Sequence, residues 1–309
     1  MNSPDITNLS KQIKQEARKE GFYDCGISKA EKLDFQHKVL CDYLERGDNG
    51  TMKWLEKNLD KRTDPTMVLP GAKSVISLIY NYYSEHRQYD PEAPKISRYA
   101  YAKDYHHVLE KKLNALIMRI KALKSNVKAL CYVDSGPVIE KTLACNGGLG
   151  WIGKNSLLIN PQRGSFFFIG EIITDIELEY DKPIIDKCGN CSLCIDNCPT
   201  SAINDNRTIN SNNCISYLTI ELKDNIPEEF KGKLQNWVSG CDICQNVCPW
   251  NKKAVADSES AFEPNAELLL MKKKEWDSLD NRDFDRLFKK SSVARAGYEK
   301  LKSNIDFLS

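Results

Sequence analysis

The sequence predicts an α+β protein. It reads as an α/β sandwich over residues 1–180, a cysteine-bound module over 181–250, and a helical segment over 251–309 that packs on the core. Three observations carry this. Helix-period and strand-period apolar patterns mix before residue 180. Eight of the twelve cysteines lie between Cys188 and Cys248. Beyond them only helical signals return, in "NRDFDRLFKK" and "VARAGYEKLKSNIDFL".

The first element is an amphipathic helix. Ile6, Leu9, Ile13 and Ala17 share one face, and Gly21 stops it. "SVISLIYNYY" at 74–83 reads as a buried strand. Residues 105–124 read as a long helix with Val108, Leu109, Leu116, Ile117, Ile120 and Leu123 inward. His106 and His107 open it and read as structural, since nothing nearby completes a ligand set. Residues 127–133 form a strand ending in "DSGP", where Asp134 fits either a turn residue or an acid at the mouth of a site. Local capping chemistry favours the turn.

"PVIEKTLACN" then reads as a short helix opened by Pro137, and "SLLINPQRGSFFFIGEIIT" as two strands. Between them "GGLGWIGKN" spells G-x-G-x-x-G through Gly148, Gly150 and Gly153, and nearly spells a P-loop. Both nucleotide motifs work only in the order strand–loop–helix. Here the order is helix–loop–strand, and Asn155 stands where a P-loop needs a hydroxyl. A tight glycine turn explains the stretch better.

Among the 309 residues, 41% are apolar and 28% charged, as in an ordinary globular chain. No run of 18 apolar residues suggests a membrane span, and the polar start does not read as a secretory signal, so a cytoplasmic location is expected. Net charge is +1 but uneven. Lys111, Lys112, Arg119, Lys121, Lys124 and Lys128 stand against a single Glu110 in the segment 105–128, and the tail from 271 carries ten Lys/Arg against seven Asp/Glu. Such clusters fit a solvated face or a phosphate footprint.

The cysteines carry the chemistry. Cys188, Cys191, Cys194 and Cys198 give C-x2-C-x2-C-x3-C-P, the run of bacterial two-cluster ferredoxins, whose fourth thiolate crosses to the other cluster. Cys241, Cys244 and Cys248 repeat the ending C-x2-C-x3-C-P, and Cys214 supplies the missing ligand from upstream. The crossing rule assigns Cys188, Cys191, Cys194 and Cys248 to one [4Fe–4S] cluster, and Cys198, Cys214, Cys241 and Cys244 to the other. Two zinc sites would account for paired C-x2-C knuckles but not for two C-x3-C-P endings. Cys25, Cys41, Cys131 and Cys145 read as small buried hydrophobes. Such clusters pass single electrons, and the other 240 or so residues must use them.

The stretches "KRTDPTMVLPGAKS", "KDYH", "VDSGP", "GLGWIGKNSLLI", "FFFIGEIITD", "CGNCSLCIDNCPTSAI", "CISYLTIE" and "GCDICQNVCPWN" occur in an order that resembles the epoxyqueuosine reductase family over nearly the whole chain. The resemblance implies a nitroreductase-like, cobalamin-binding core followed by a ferredoxin-like module. It implies reduction of epoxyqueuosine at the tRNA wobble position to queuosine, consuming two electrons and two protons and releasing water. "GLGWIGKN" would then line the corrin pocket. Asp134 would be the proton donor, with a pKa raised by burial against the corrin. Arg62, Leu158, Ile169, Ser216, Cys241 and Asp242 would contact cobalamin, as would Ser97, which stands where some members carry a cysteine. D-x-H-x-x-G, the His-on corrinoid motif, does not occur. The implied partners are tRNA and an external low-potential electron donor, and the implied state is a monomer without the C-terminal helical-repeat domain that many members carry. A corrinoid reductive dehalogenase, which would carry a twin-Arg export signal, and an iron–sulfur electron-transfer protein are the competing readings.

Overall fold

The structure, a computed structural model, describes residues 3–256 and 262–308. The chain opens with α1 (Ser3–Lys19), β1 (Asp24–Lys29), α2 (Asp34–Glu45), α3 (Leu59–Thr63) and α4 (Pro65–Val68). There follow β2 (Ser74–Asn81), β3 (Lys95–Ile96), α5 (Tyr105–Leu123), β4 (Ala129–Tyr132) and α6 (Glu140–Asn146). A small hairpin, β5 (Trp151–Ile152) and β6 (Leu158–Ile159), leads into β7 (Phe167–Thr174). The cysteine module contains α7 (Leu193–Asp196), α8 (Ile215–Ile220), β8 (Trp237–Ser239) and α9 (Ile243–Asn246). Helices α10 (Ala266–Leu270), α11 (Lys273–Asp277), α12 (Asn281–Phe288) and α13 (Tyr298–Leu308) complete the chain.

The main sheet runs β1-β2-β7-β4, antiparallel throughout. Every residue of β2 is buried because helices cover both faces. Successive strand side chains alternate between faces. Ile76, Leu78 and Tyr80 meet Leu9, Ile13 and Ala17 of α1 and Leu109, Leu113 and Leu116 of α5. Val75 and Ile79 turn the other way, toward Leu143 and Ala144 of α6. Burying each such Leu or Ile contributes about 1.5–3 kcal/mol, so the two helical layers and the sheet form one sandwich.

The module joins the core through a parallel β3–β8 pair, Lys95 opposite Trp237 and Ile96 opposite Ser239. The C-terminal helices pack on this seam. Leu268, Trp276, Phe284, Phe288, Leu301 and Ile305 surround Ala93, Ile96, Ala100 and Val238.

Two local expectations are corrected. Helix α6 begins at Glu140, not at Pro137, because Glu140 turns its side chain back to the Asp134 N–H and residues 134–139 close a loop. Leu123, the last residue of α5, is 39% exposed, while Leu113 takes a core position the pattern did not single out.

Candidate active site

The glycine stretch folds as a support, not a nucleotide cradle. Gly148 is left-handed (φ +76°), and a Cβ on Gly150 would stand 2.2 Å from the Ile159 carbonyl oxygen, so the hairpin closes only on glycine. On that hairpin the Trp151 indole donates to Cys188 Sγ at 3.4 Å.

The cysteines gather in two sets. Cys194 faces Cys248 and Cys188, and Cys248 faces Cys188 and Cys191. Cys241 faces Cys244 and Cys214, and both Cys214 and Cys244 face Cys198. Helices α7 and α9 pack together, so the two C-x2-C-x3-C-P runs lie side by side and the last cysteine of each crosses to the other set. Burial, then the charge of Cys214, pushes the Cys244 thiol up to about 12. Burial also raises the Cys214 and Cys241 thiols, and neighbouring thiols that resist ionising suit a cationic cluster, whose binding supplies the missing positive charge. Their donor chemistry fits two [4Fe–4S] groups.

A cleft of about 640 Å³ opens between the core and the module. Arg62, Tyr99, Tyr105 and Asp134 line it from the core, Cys214, Ser216 and Tyr217 from the module, and Arg295 from the C-terminal segment. Ser216 sits in the first turn of α8, two residues after Cys214, and Cys214 itself lines the cleft, so the cleft touches the second cysteine set. Arg62 is fixed by bonds to the carbonyls of Lys57 and Trp54, both 3.1 Å, and lies over the Trp54 ring.

Expected contact residues separate into three groups. Arg62, Asp134 and Ser216 line the cleft. Ser97 and Asp242 form a buried pair beside Cys241: the Ser97 N–H donates to Ser239 O at 2.9 Å, and Asp242 Oδ2 accepts the Arg98 N–H at 2.8 Å. Leu158 and Ile169 belong to an apolar cluster with Ile79, Ala144 and Phe167. A flat, largely apolar macrocycle with polar edges fits a cleft bounded by aromatic Tyr99 and Tyr105 and by the polar groups of Arg62, Asp134 and Ser216.

Asp134 follows β4 with a left-handed backbone (φ +57°). Its carboxylate accepts from His106 Nε2 at 3.2 Å, and the other imidazole nitrogen, Nδ1, is 2.7 Å from Asp104 Oδ1. Asp104 also caps α5, accepting the His106 N–H at 3.0 Å. Two carboxylates therefore hold one imidazole, and their hydrogen bonds, Asp104 first, push His106 up to about 9. The imidazolium is the resting form at neutral pH.

This corrects two expectations. His106 is not merely structural; it joins Asp134 in the site. Asp134 does not carry a raised pKa. Enclosure in the cleft pushes its carboxyl up, but the His106 bond, the charges of His106 and Arg295, and a Tyr105 bond outweigh it and hold it below its ordinary value. Enclosure is the largest single influence on Asp134, but its side chain is still 52% exposed and the opposing interactions together exceed it. The proton sits one residue back. "KDYH" contained the signal, an N-cap Asp two residues before a histidine, but its partner Asp134 is far away in sequence.

Behind Asp134 stand two more acids. Burial, then the Asp134 charge, pushes Glu140 up to about 8. Glu171, at the centre of β7, accepts from Ser77 Oγ at 2.8 Å and is held well above its ordinary value by burial, then by Glu140.

Comparison with known proteins is consistent along the chain. The family model "Epoxyqueuosine reductase QueG, DUF1730" matches residues 62–135, and "4Fe-4S double cluster binding domain" matches 187–251. An epoxyqueuosine reductase of Cellulophaga algicola is 48% identical over 296 residues, covering 96% of this chain and 96% of the relative. A crystal structure of an epoxyqueuosine reductase with an epoxyqueuosine-modified tRNA-Tyr stem loop superposes with a TM-score of 0.87 at 30% identity, covering 97% of this chain and 80% of that one. The Bacillus subtilis epoxyqueuosine reductase, solved with its aspartate catalytic loop swung out of the active site, gives 0.86 at 29% identity, covering 97% and 81%.

Proposed function

The chain belongs to the epoxyqueuosine reductase family, and from that premise we propose how its own residues divide the work. The protein reduces epoxyqueuosine in tRNA to queuosine with cobalamin and two [4Fe–4S] clusters. Opening the epoxide consumes two electrons and two protons and releases its oxygen as water. Cobalamin held in the cleft would supply a low-potential reducing centre, and clusters on the two cysteine sets would supply its electrons.

The observation that carries the residue assignment is the run Asp104–His106–Asp134 ending in the same cleft as Ser216 and Cys214. An alkoxide is a poor leaving group, so the departing oxygen needs a proton as the bond breaks. Asp134 delivers it. His106 stores it, because two carboxylates stabilise the imidazolium, and Asp104 fixes the ring. The loop carrying Asp134 can leave the site, as the catalytic loop of the Bacillus subtilis relative does when it swings out of the active site. Arg62, Ser97, Leu158, Ile169, Ser216, Cys241 and Asp242 hold cobalamin.

We assign residues 1–180 to cofactor and substrate chemistry, 181–250 to electron delivery and 251–309 to sealing the seam between them. An external low-potential donor charges the clusters. The protein acts as a monomer, in the cytoplasm where its tRNA is found.

The test is Asp134→Ala in anaerobically reconstituted enzyme, assayed on an epoxyqueuosine stem loop. Cluster and cobalamin spectra stay at wild-type intensity while turnover falls about 10²–10⁴-fold, the typical worth of a general acid. A fully loaded variant with normal turnover ends the assignment.

A further inference from the structure

The loop from Val133 to Ile139 carries the proposed proton donor; buried Val133 and Val138 anchor its ends, and Arg62 Nη1 donates to the Gly136 carbonyl. Asp134 is left-handed without being glycine. Such a conformation persists only where neighbours impose it. On its side-chain side, His106 bonds the carboxylate. On its backbone side, the recorded tie of the Asp134 N–H is to Glu140 Oε1. Glu140 is itself well placed to serve as an anchor. It lies in the first turn of α6, and the next residues of that helix, Thr142, Leu143 and Ala144, are buried against the sheet. Its neighbour Lys141 is pinned to Ser156 O at 2.7 Å.

We propose that Glu140 is a positioning residue: its carboxylate latches the Asp134 N–H and so holds the proton-donor loop in the cleft. Glu140 does not line the cleft, and it acts only through Asp134. The proposal rests on the reading of Asp134 as proton donor. It requires an acceptor at this point and not a charge, which separates it from a general electrostatic role. Burial, then the Asp134 charge, already disfavours the charge on Glu140, and the Asp134 N–H bond, Lys141 and His106 only partly offset this.

The test compares Glu140→Gln, Glu140→Ala, Asp134→Ala and the double variant Asp134→Ala/Glu140→Ala in the reconstituted enzyme. Glutamine keeps a carbonyl oxygen for the N–H, so Glu140→Gln keeps turnover near wild type. Glu140→Ala frees the loop: kcat falls up to about 10²-fold, the effect of a misplaced catalytic group, while KM for the stem loop and both cofactor spectra stay unchanged. Hydrogen exchange at residues 133–139 rises in Glu140→Ala and not in Glu140→Gln. The double variant is no slower than Asp134→Ala, because the two act as a unit. An active Asp134→Ala overturns the proton-donor reading itself. If Asp134→Ala is dead but Glu140→Ala turns over normally, or the two losses multiply in the double variant, the latch is wrong and the donor assignment stands.

Discussion

At the scale of the residue, the proton belongs to His106 before it belongs to Asp134. The bonds to Asp104 and Asp134 raise His106 to about 9, whereas an unfolded histidine titrates near 6.5. Between those values the folded protein binds a proton the unfolded chain does not. Stability from this group is therefore complete below pH about 6.5 and declines as pH rises toward 9. The same titration empties the proton store. Turnover should show an alkaline limb with a midpoint near 9, and His106→Gln, which keeps a hydrogen-bonding side chain but cannot carry the proton, should abolish that limb and lower the plateau. A His106→Gln profile that still bends at the same pH would remove the histidine from the relay. The competing view of Asp134 as a mere turn residue was reasonable locally, since it does sit at a left-handed turn. Its chemistry comes from His106, 28 positions away, and no local pattern encodes that meeting.

At the scale of the element, legibility follows the range of the interactions. Helices α1 and α5 and strands β2 and β7 were readable because burial on a regular period writes itself into the sequence: Leu9, Ile13 and Ala17, or the unbroken "SVISLIYN". The start of α6 was not, because Glu140 spends its side chain on Asp134 and delays the helix past Pro137. The cysteine spacing was readable because each short run wraps one cluster and ends in a Cys-Pro whose thiolate crosses to the other. Cys214 is the exception, contributed from the residue preceding α8. It faces Cys198 and stands beside Ser216 at the cleft. Cys214→Ser should therefore damage the cleft-side cluster alone. Anaerobic iron analysis should fall from about eight to about four atoms per chain, the content of two clusters and of one. Retention of all the iron, or loss of all of it, would contradict two separable sets.

At the scale of the whole molecule, the question is where a polyanion lands on a chain of net charge +1. The basic stretch of α5 looked like a phosphate footprint in the sequence, but the fold spends part of it. Arg119 is paired with Glu16 and Glu20 of the α1 segment, and Lys112 donates to the Glu20 carbonyl. In the tail, Lys302 pairs with Asp306, Lys273 with Asp277 and Arg286 with Glu267. The cleft itself lies at the N-terminal end of α5. Lys121, sixteen residues further along, is about 24 Å away at 1.5 Å per residue. Around the cleft mouth the balance differs. Lys57 lines it, Lys53 is exposed one residue before Trp54, and Trp54 is 46% exposed with Arg62 over its ring. Exposed cations beside an aromatic face suit a single-stranded loop, whose phosphates and unstacked bases need both. Lys53→Ala and Lys57→Ala should each weaken stem-loop binding and lower the slope of log affinity against log salt by about one, the signature of one lost phosphate contact. Lys121→Ala should change neither. Fluorescence anisotropy with a labelled anticodon stem loop across a salt series checks this. A loss of slope in Lys121→Ala with none in the cleft-mouth variants would move the RNA onto the far end of α5 and away from the Asp134 site.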